Sequence, residues 1–118
     1  MEVNFPKRGE IWLVSLEPVV GTEIGKAKPA IVISNDRNNQ FAATVTVIPI
    51  TSKTERIHPF EVFLPAEKTG LARDSKAKCN QIRTIDKKRL VKSLGALSLN
   101  KVRETEKALL IHLGIKVS

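Results

Sequence analysis

The chain has 118 residues, of which 42% are hydrophobic, and its formal net charge is +8 at neutral pH. This length and composition predict a single domain over residues 1–118 that is large enough to bury an ordinary hydrophobic core. No apolar run approaches the roughly 20 residues of a membrane-spanning helix, the N-terminus lacks the apolar core of a signal peptide, and the single cysteine, Cys79, excludes an internal disulfide. We therefore expect a cytoplasmic protein with no membrane partner.

The positive charge is concentrated in one part of the sequence. Between Glu67 and Arg103 there are eleven lysines and arginines against three acidic residues, and the rest of the chain is neutral. A basic half favours a polyanionic partner, most simply a nucleic acid; a solubilising basic surface is the alternative. Aromatic residues are few and tyrosine is absent from the sequence, so a base-stacking platform is not expected.

Most of the chain reads as short strands separated by turns. Strands are predicted where β-branched, aromatic or alternating apolar residues lie between proline, glycine or asparagine, over residues 10–16, 30–34, 44–50 and 60–64. A less regular strand is expected over residues 78–85, turns at 35–39 and 69–70, and a short helical turn over 86–89.

The C-terminal part predicts a helix. Ser98 is a good N-cap, and Gly114 is a good C-cap. Helical spacing predicts one apolar face on this helix, although its middle turn falls on Thr105 and Glu106, and we expect His112 to pack within it; the residues of that face are Leu99, Val102, Leu109, Leu110 and Leu113. Short strands followed by one helix predict a mainly β (α+β) fold, a small curled sheet or barrel with a helix packed on it.

Polar residues at two strand ends are the candidates for chemistry. A loop with two glycines, Glu23 and Lys28 leads into the strand at 30–34, and Thr51 follows the strand at 44–50. If these strands are neighbours, a cation and a hydroxyl group meet at one site, which suits a phosphate. Taken singly, each of the three also fits an ordinary surface position, so spacing alone leaves the function open.

Metal and nucleotide sites of known spacing are not supported. His58 and His112 are far apart in sequence, Cys79 is alone, and no Gly-Lys-Ser/Thr motif follows the glycines of the loop. We therefore expect neither a metal nor another cofactor.

The chain as a whole resembles the MazF/PemK family of toxin endoribonucleases. The matching segments occur in family order over nearly the full length: Arg8-Gly9-Glu10-Ile11-Trp12, Pro18-Val19-Val20-Gly21-Thr22-Glu23, Lys28-Pro29-Ala30-Ile31-Val32-Ile33-Ser34-Asn35, Ile50-Thr51, and Asp74-Ser75 through Gln81-Ile82-Arg83-Thr84-Ile85-Asp86. The resemblance implies a CcdB/MazF-like, SH3-like barrel with a C-terminal helix. It also implies a homodimer that cleaves single-stranded messenger RNA at a short sequence without a metal, and an antitoxin whose flexible acidic tail covers the basic site.

The resemblance also implies roles for individual residues. The family's catalytic pair is an arginine before the proline of the second strand and a threonine or serine after the third. Thr51 matches the second position, Lys28 stands at the first in place of arginine, and Glu23 matches an acidic position in the loop. The positions implied in RNA binding are Thr22, Lys26, Asn35, Ser52, Gln81 and Arg83.

Two other functions stay open, one because of the substitution at Lys28 and the other because of the fold that the resemblance implies. Lysine supplies positive charge but lacks the planar fork of arginine that holds two phosphate oxygens. One alternative is therefore a catalytically weakened module that binds RNA or the antitoxin. The other is a poison of DNA gyrase, as in the CcdB-type toxins that share this fold.

Overall fold

The computed structural model describes residues 4–15 and 27–116. Within them the chain forms seven strands, Glu10–Ser15 (β1), Ala27–Val32 (β2), Thr44–Thr51 (β3), Glu61–Leu64 (β4), Ser75–Lys78 (β5), Arg83–Asp86 (β6) and Leu90–Ala96 (β7). The α-helices are Asp36–Phe41 (α1), Ala66–Thr69 (α2) and Leu99–Leu113 (α3), and single 3₁₀ turns form at Cys79–Gln81 and Lys87–Arg89. The prediction of a mainly β fold with a C-terminal helix is confirmed.

The strands form one antiparallel, barrel-like sheet organised around β3. Neighbouring strands follow the order β4-β5-β3-β2-β1-β7, and β6 also pairs with β3. The first half of β3 pairs with β6, and its last two residues, Ile50 and Thr51, pair with β5. Because β2 lies along the opposite edge of β3, the sheet can curl there and bring the ends of β2, β3 and β5 together.

Both faces of β2 and β3 are buried, which explains why these strands read as nearly continuous apolar runs. One face joins α3 in the larger core, made of Ile11, Ile31, Ile33, Ile48, Ile50, Val62, Leu64, Leu71, Ala77, Cys79, Leu97 and Ala108. The other face forms a smaller core beneath Trp12 and Leu90, made of Val14, Ala30, Val32, Val45, Val47 and Ile85.

The caps predicted for α3 are confirmed, but its buried face differs from the prediction. Ser98 Oγ accepts a hydrogen bond from Lys101 N at 3.2 Å, and Gly114 ends the helix with a φ of +70°. The fully buried residues are Thr105 and Ala108, small side chains that let the helix approach the sheet closely. The Thr105 hydroxyl donates to Lys101 O at 2.8 Å, so it can be buried without an unsatisfied polar group.

Three residues predicted to pack on α3 are exposed instead. Leu99 is 64% exposed and Leu113 is 55% exposed, and His112, expected in the helix packing, also faces solvent. The helix packs its Thr105 and Ala108 side against the core. With that side buried, the side chains of Leu99 and Leu113, near the two ends of the helix, point toward solvent. Only Val102 and Leu109 of the predicted apolar face contact the core, as partly buried residues.

The turn predicted at residues 35–39 is wrong, because α1 forms there. Asn35 Oδ1 accepts a hydrogen bond from Asn38 N at 2.8 Å and caps the helix. Asparagine and aspartate favour helix N-caps as strongly as turns, so a segment rich in these residues is compatible with either structure. The buried Asn39 side chain donates to Ser34 O at 2.8 Å and holds α1 against the chain before it.

The single strand predicted over residues 78–85 is interrupted. β5 ends at Lys78, the 3₁₀ turn Cys79–Gln81 follows, and β6 begins at Arg83. The turn joins two strands that pair with different parts of β3, and this register is a tertiary property. The helical turn expected over residues 86–89 is confirmed at Lys87–Arg89.

Two strands and a short helix were not anticipated from the pattern. β5 consists of small and charged residues, β7 mixes apolar, small and polar residues without regular alternation, and β7 pairs with β1 through two register shifts. The turn expected at residues 69–70 is the end of α2, where Gly70 has a φ of +79°. A Cβ atom there would lie 2.8 Å from the carbonyl oxygen of Leu94, so glycine is required where α2 meets β7.

Candidate functional site

The pairing of β2 with β3 brings Lys28 and Thr51 to the same part of the molecule. Ala30 pairs with Pro49 in this antiparallel ladder. Lys28 and Thr51 each lie two residues beyond that pair, at the adjoining ends of the two strands. The cation before Pro29 and the hydroxyl at the end of β3 are thus neighbours, as the strand pattern requires if β2 and β3 are adjacent.

Lys28 and Thr51 line one open cavity of about 410 Å³, within the size range of ligand sites. The start of β2, the end of β3 and the turn before β5 enclose it. Its described lining residues are Lys28, Pro29, Ile50, Thr51, Ser52, Lys53, Leu71, Ala72, Arg73 and Ser75.

The chemical character of this cavity is cationic and hydroxylic. Lys28, Lys53 and Arg73 bring three positive charges to it, and none of the lining residues that the structure describes is acidic. Thr51 and Ser52 add hydroxyl groups. Cations and hydroxyl donors around an open cavity are suited to a phosphate group, with which they form charge-assisted hydrogen bonds.

Local hydrogen bonds fix the backbone around the cavity. Thr51 Oγ1 accepts from Lys53 N at 3.3 Å, which leaves the threonine O–H free to act as a donor. The Ser75 hydroxyl donates to Arg73 O at 2.9 Å. Asp74 Oδ1 accepts from Ala66 N at 2.9 Å and so holds the turn that carries Arg73 against α2.

The remaining residues expected at the site fall into two groups. Asn35, Gln81 and Arg83 are exposed but do not line the cavity; Asn35 caps α1, Gln81 ends a 3₁₀ turn, and Arg83 begins β6. Thr22, Glu23 and Lys26 lie outside the described residues. Of the six predicted residues that the structure describes, Lys28, Thr51 and Ser52 line the cavity, and the roles of all nine residues stay predictions.

Sequence reasoning did not single out Lys53 and Arg73 as cavity residues. Lys53 immediately follows Thr51-Ser52, so its place beside the candidate hydroxyls could have been anticipated. Arg73 lies more than twenty positions away in a turn, and only the pairing of β5 with Thr51 brings it to the cavity. The signal available was a basic residue in a Gly-containing turn before a strand, which is weak on its own.

Other reactive side chains of the described chain do not offer a competing centre. Burial, followed by the nearby Glu61 carboxylate, raises the pKa of the Cys79 thiol to about 11, so Cys79 is not an activated nucleophile. Within residues 4–15 and 27–116, no three His, Cys, Asp or Glu side chains cluster as a metal site would require. No helix in those residues is both long and apolar enough to span a bilayer.

Comparison with known proteins gives one consistent family. Residues 7–113 match the family model described as PemK-like, MazF-like toxin of type II toxin-antitoxin system. Endoribonuclease MazF9 of Mycobacterium tuberculosis (strain ATCC 25618 / H37Rv) is 41% identical over 114 residues, which cover 92% of this chain and 97% of that protein.

Solved structures of similar proteins agree with this assignment. An endoribonuclease from a mycobacterial species superposes with a TM-score of 0.80 at 25% identity, covering 98% of this chain and 97% of its own. A mycobacterial endoribonuclease in complex with its cognate antitoxin superposes with a TM-score of 0.76 at 25% identity, covering 96% of this chain and 99% of its own. Similarity over nearly whole chains means that the match extends to the entire fold around the cavity.

Proposed function

Since the chain belongs to the PemK-like, MazF-like toxins of type II toxin–antitoxin systems, we propose that it is an endoribonuclease that cuts single-stranded messenger RNA at a short sequence without a metal ion. The observation that carries this proposal is the cavity where Lys28 and Thr51 meet, with Lys53 and Arg73 beside them. Three cations and two hydroxyls around an open site supply the groups that a phosphodiester requires.

The chemistry follows from the transition state of RNA cleavage. The ribose 2′-oxygen attacks phosphorus, the bond to the 5′-oxygen breaks, and the products are a 2′,3′-cyclic phosphate and a 5′-hydroxyl. The ammonium group of Lys28 stabilises the charge that develops on the phosphorane, and it donates a proton to the leaving 5′-oxygen. The Thr51 hydroxyl donates to a non-bridging oxygen. The proton of the attacking 2′-hydroxyl passes either to the Glu23 carboxylate or to a solvent water, and in the second case Glu23 orients its loop.

Arg73 compensates for the lysine at position 28. A guanidinium group presents a planar fork that holds two phosphate oxygens, whereas an ammonium group acts as a compact point charge. The cavity contains both, because Arg73 lines it together with Lys28. We assign the bidentate phosphate contact to Arg73 and the proton donation to Lys28, so the activity does not require an arginine at position 28.

The RNA would extend beyond the cavity over the basic part of the chain. Ser52 lines the cavity, and Thr22, Lys26, Asn35, Gln81 and Arg83 are proposed contacts for the nucleotides on either side. A homodimer would present two such surfaces. A cognate antitoxin with an acidic flexible tail would complement the net charge of +8 and cover the site. The proposed site of action is the cytoplasm, where messenger RNA is present.

The test is cleavage of a long single-stranded RNA by the purified protein in excess EDTA, with both product ends mapped. We expect cuts at a recurring short motif, leaving a 2′,3′-cyclic phosphate and a 5′-hydroxyl. Thr51→Ala should lose this activity and keep its melting temperature. Lys107→Ala is the matched control for Lys28→Ala, since Lys107 is an exposed lysine of α3 that does not line the cavity; it should cut normally.

Two companion assays, of RNA binding and of DNA gyrase inhibition, separate the alternative functions. RNA left intact by a folded protein that still binds it, with affinity that falls as salt rises, would favour the weakened binding module. Inhibition of DNA gyrase without RNA cleavage would favour the CcdB-type activity. Cleavage by Lys28→Ala and Thr51→Ala at the wild-type rate would remove both residues from the mechanism.

A further inference from the structure

A buried ion pair lies on the outer face of the β4–β5 hairpin. Lys76 is 8% exposed and Glu61 is 7% exposed, and Lys76 Nζ lies 2.9 Å from Glu61 Oε1. Val62, Leu64 and Ala77 of the same hairpin face the core, so the alternation of each strand directs Lys76 and Glu61 to the opposite side. Withdrawing both charges from water is costly, and a lysine on this face could otherwise extend into solvent.

The pair is buried because the segment 52–60, which connects β3 to β4, folds over it. Lys76 Nζ donates to Arg56 O at 2.7 Å, and Glu61 Oε1 accepts from His58 N at 2.9 Å. One ion pair therefore holds two backbone points of a segment that has no helix or strand of its own. The His58 ring also stacks on Phe60, with ring centroids 5.1 Å apart.

The surroundings of the ion pair stabilise the charged form of Glu61. Burial alone would raise the pKa of Glu61, but the His58 backbone N–H and the Lys76 ammonium group outweigh it, and the net effect lowers that pKa. Glu61 is therefore a carboxylate at neutral pH. All the side-chain nitrogen and oxygen atoms that are buried within the described chain have hydrogen-bond partners, as a built polar network requires.

The same lysine is coupled to the cavity. Lys76 is the cross-strand partner of Thr51, so the two side chains share a face and their Cβ atoms lie about 5 Å apart. The segment held by Lys76 begins with Ser52 and Lys53, which line the cavity. The ion pair thus lies beside the candidate hydroxyl and beneath the loop that forms one wall of the site.

We propose that Lys76 and Glu61 are positioning residues for RNA cleavage, which hold the segment 52–60 in the conformation that binds the substrate. The inference rests on the proposed function. Lys28 and Thr51 are held by the strands themselves, so a loosened segment leaves them in position. RNA binding must then order the segment, and the cost of that ordering appears in binding. Loss of the pair should raise KM about tenfold and change kcat less than threefold.

The main variant is the double substitution Lys76→Met/Glu61→Gln. It removes both charges together, so neither is left buried alone, and the glutamine oxygen can still accept from His58 N. The matched control is Lys107→Met, which removes an exposed lysine of α3. Each protein is assayed for kcat and KM on a short fluorogenic single-stranded RNA containing the mapped cleavage motif.

Limited trypsin digestion gives a second measurement that does not depend on catalysis. Lys53 and Arg56 are tryptic sites within the segment, and mass spectrometry identifies the first peptide bonds cut. The double variant should be cut there at least tenfold faster than the wild type and the control, with an unchanged melting temperature. If it does not fold, Lys76→Arg is used, which keeps the ion pair's charges but changes the donor geometry at Arg56 O, and should give smaller changes in the same directions.

The outcomes are separable. A folded double variant with wild-type kcat, KM and trypsin resistance would overturn the proposal, and so would a loss of kcat at unchanged KM. If the wild type cuts no RNA, the proposed function fails. The trypsin pattern then decides whether the ion pair holds the segment: faster cutting supports that part of the proposal, and unchanged cutting refutes it.

Discussion

Removal of the charge at Lys28 separates catalysis from stability. Lys28 is exposed at the start of β2, so Lys28→Ala should change the free energy of unfolding by no more than about 0.5 kcal/mol. An ammonium group about 4 Å from a phosphate charge contributes about 4 kcal/mol at an effective dielectric constant of about 20, which is roughly a thousandfold in rate. The neighbouring Lys53 and Arg73 retain part of the positive potential, and we expect a loss of about 10²–10³-fold in kcat.

The assay is single-turnover cleavage of the same fluorogenic RNA in EDTA, together with thermal unfolding of each variant. Lys28→Arg is the informative companion, because it keeps the charge and adds the planar fork but gives up a proton far less readily than an ammonium group; we expect it to cleave more slowly than the wild type and faster than Lys28→Ala. Cleavage by Lys28→Ala within tenfold of the wild-type rate would refute the argument. An inactive Lys28→Arg would instead show that proton transfer by lysine is indispensable.

Three further predictions concern the scaffold. Because the pKa of Glu61 is lowered on folding, its contribution to stability is present above the unfolded pKa and is lost as pH falls through the lower folded pKa. Urea titrations at pH 7 and pH 3 should therefore show that the free energy of unfolding falls more between these pH values for the wild type than for Glu61→Gln. Cys79, fully buried with its pKa raised to about 11, should not react with Ellman's reagent at pH 8 until the protein unfolds. Ser98→Ala removes the hydroxyl that accepts from Lys101 N and should lower the free energy of unfolding by about 1 kcal/mol in urea denaturation.

The location of the cavity could be anticipated because two of its lining residues, Lys28 and Thr51, lie at strand ends. Proline at position 29 and the β-branched run before Thr51 are local signals, and they predicted β2 and β3 independently of the tertiary structure. Adjacency of the two strands was the added condition, and the antiparallel register meets it. Arg73 and Lys76 could not be found in this way, since β5 is a four-residue strand of small and charged side chains whose position depends on its partners.

The sequence by itself determined the elements whose signals are local. Residues with strong β propensity defined β1, β3 and β4, and Ser98 and Gly114 defined the ends of α3, because caps and propensities act within a few residues. The second strand was predicted over residues 30–34, but β2 begins at Ala27 and ends at Val32, so that Lys28 lies within the strand and not in the loop before it. The tertiary structure decided which face of α3 is buried, where the 3₁₀ turn Cys79–Gln81 interrupts the strands, and which charges are withdrawn from water. Lys76 reads as an ordinary surface lysine; it is buried because the segment 52–60 folds over it and supplies the carbonyl of Arg56. Such burial depends on contacts between residues distant in sequence, whose free energy no local pattern contains.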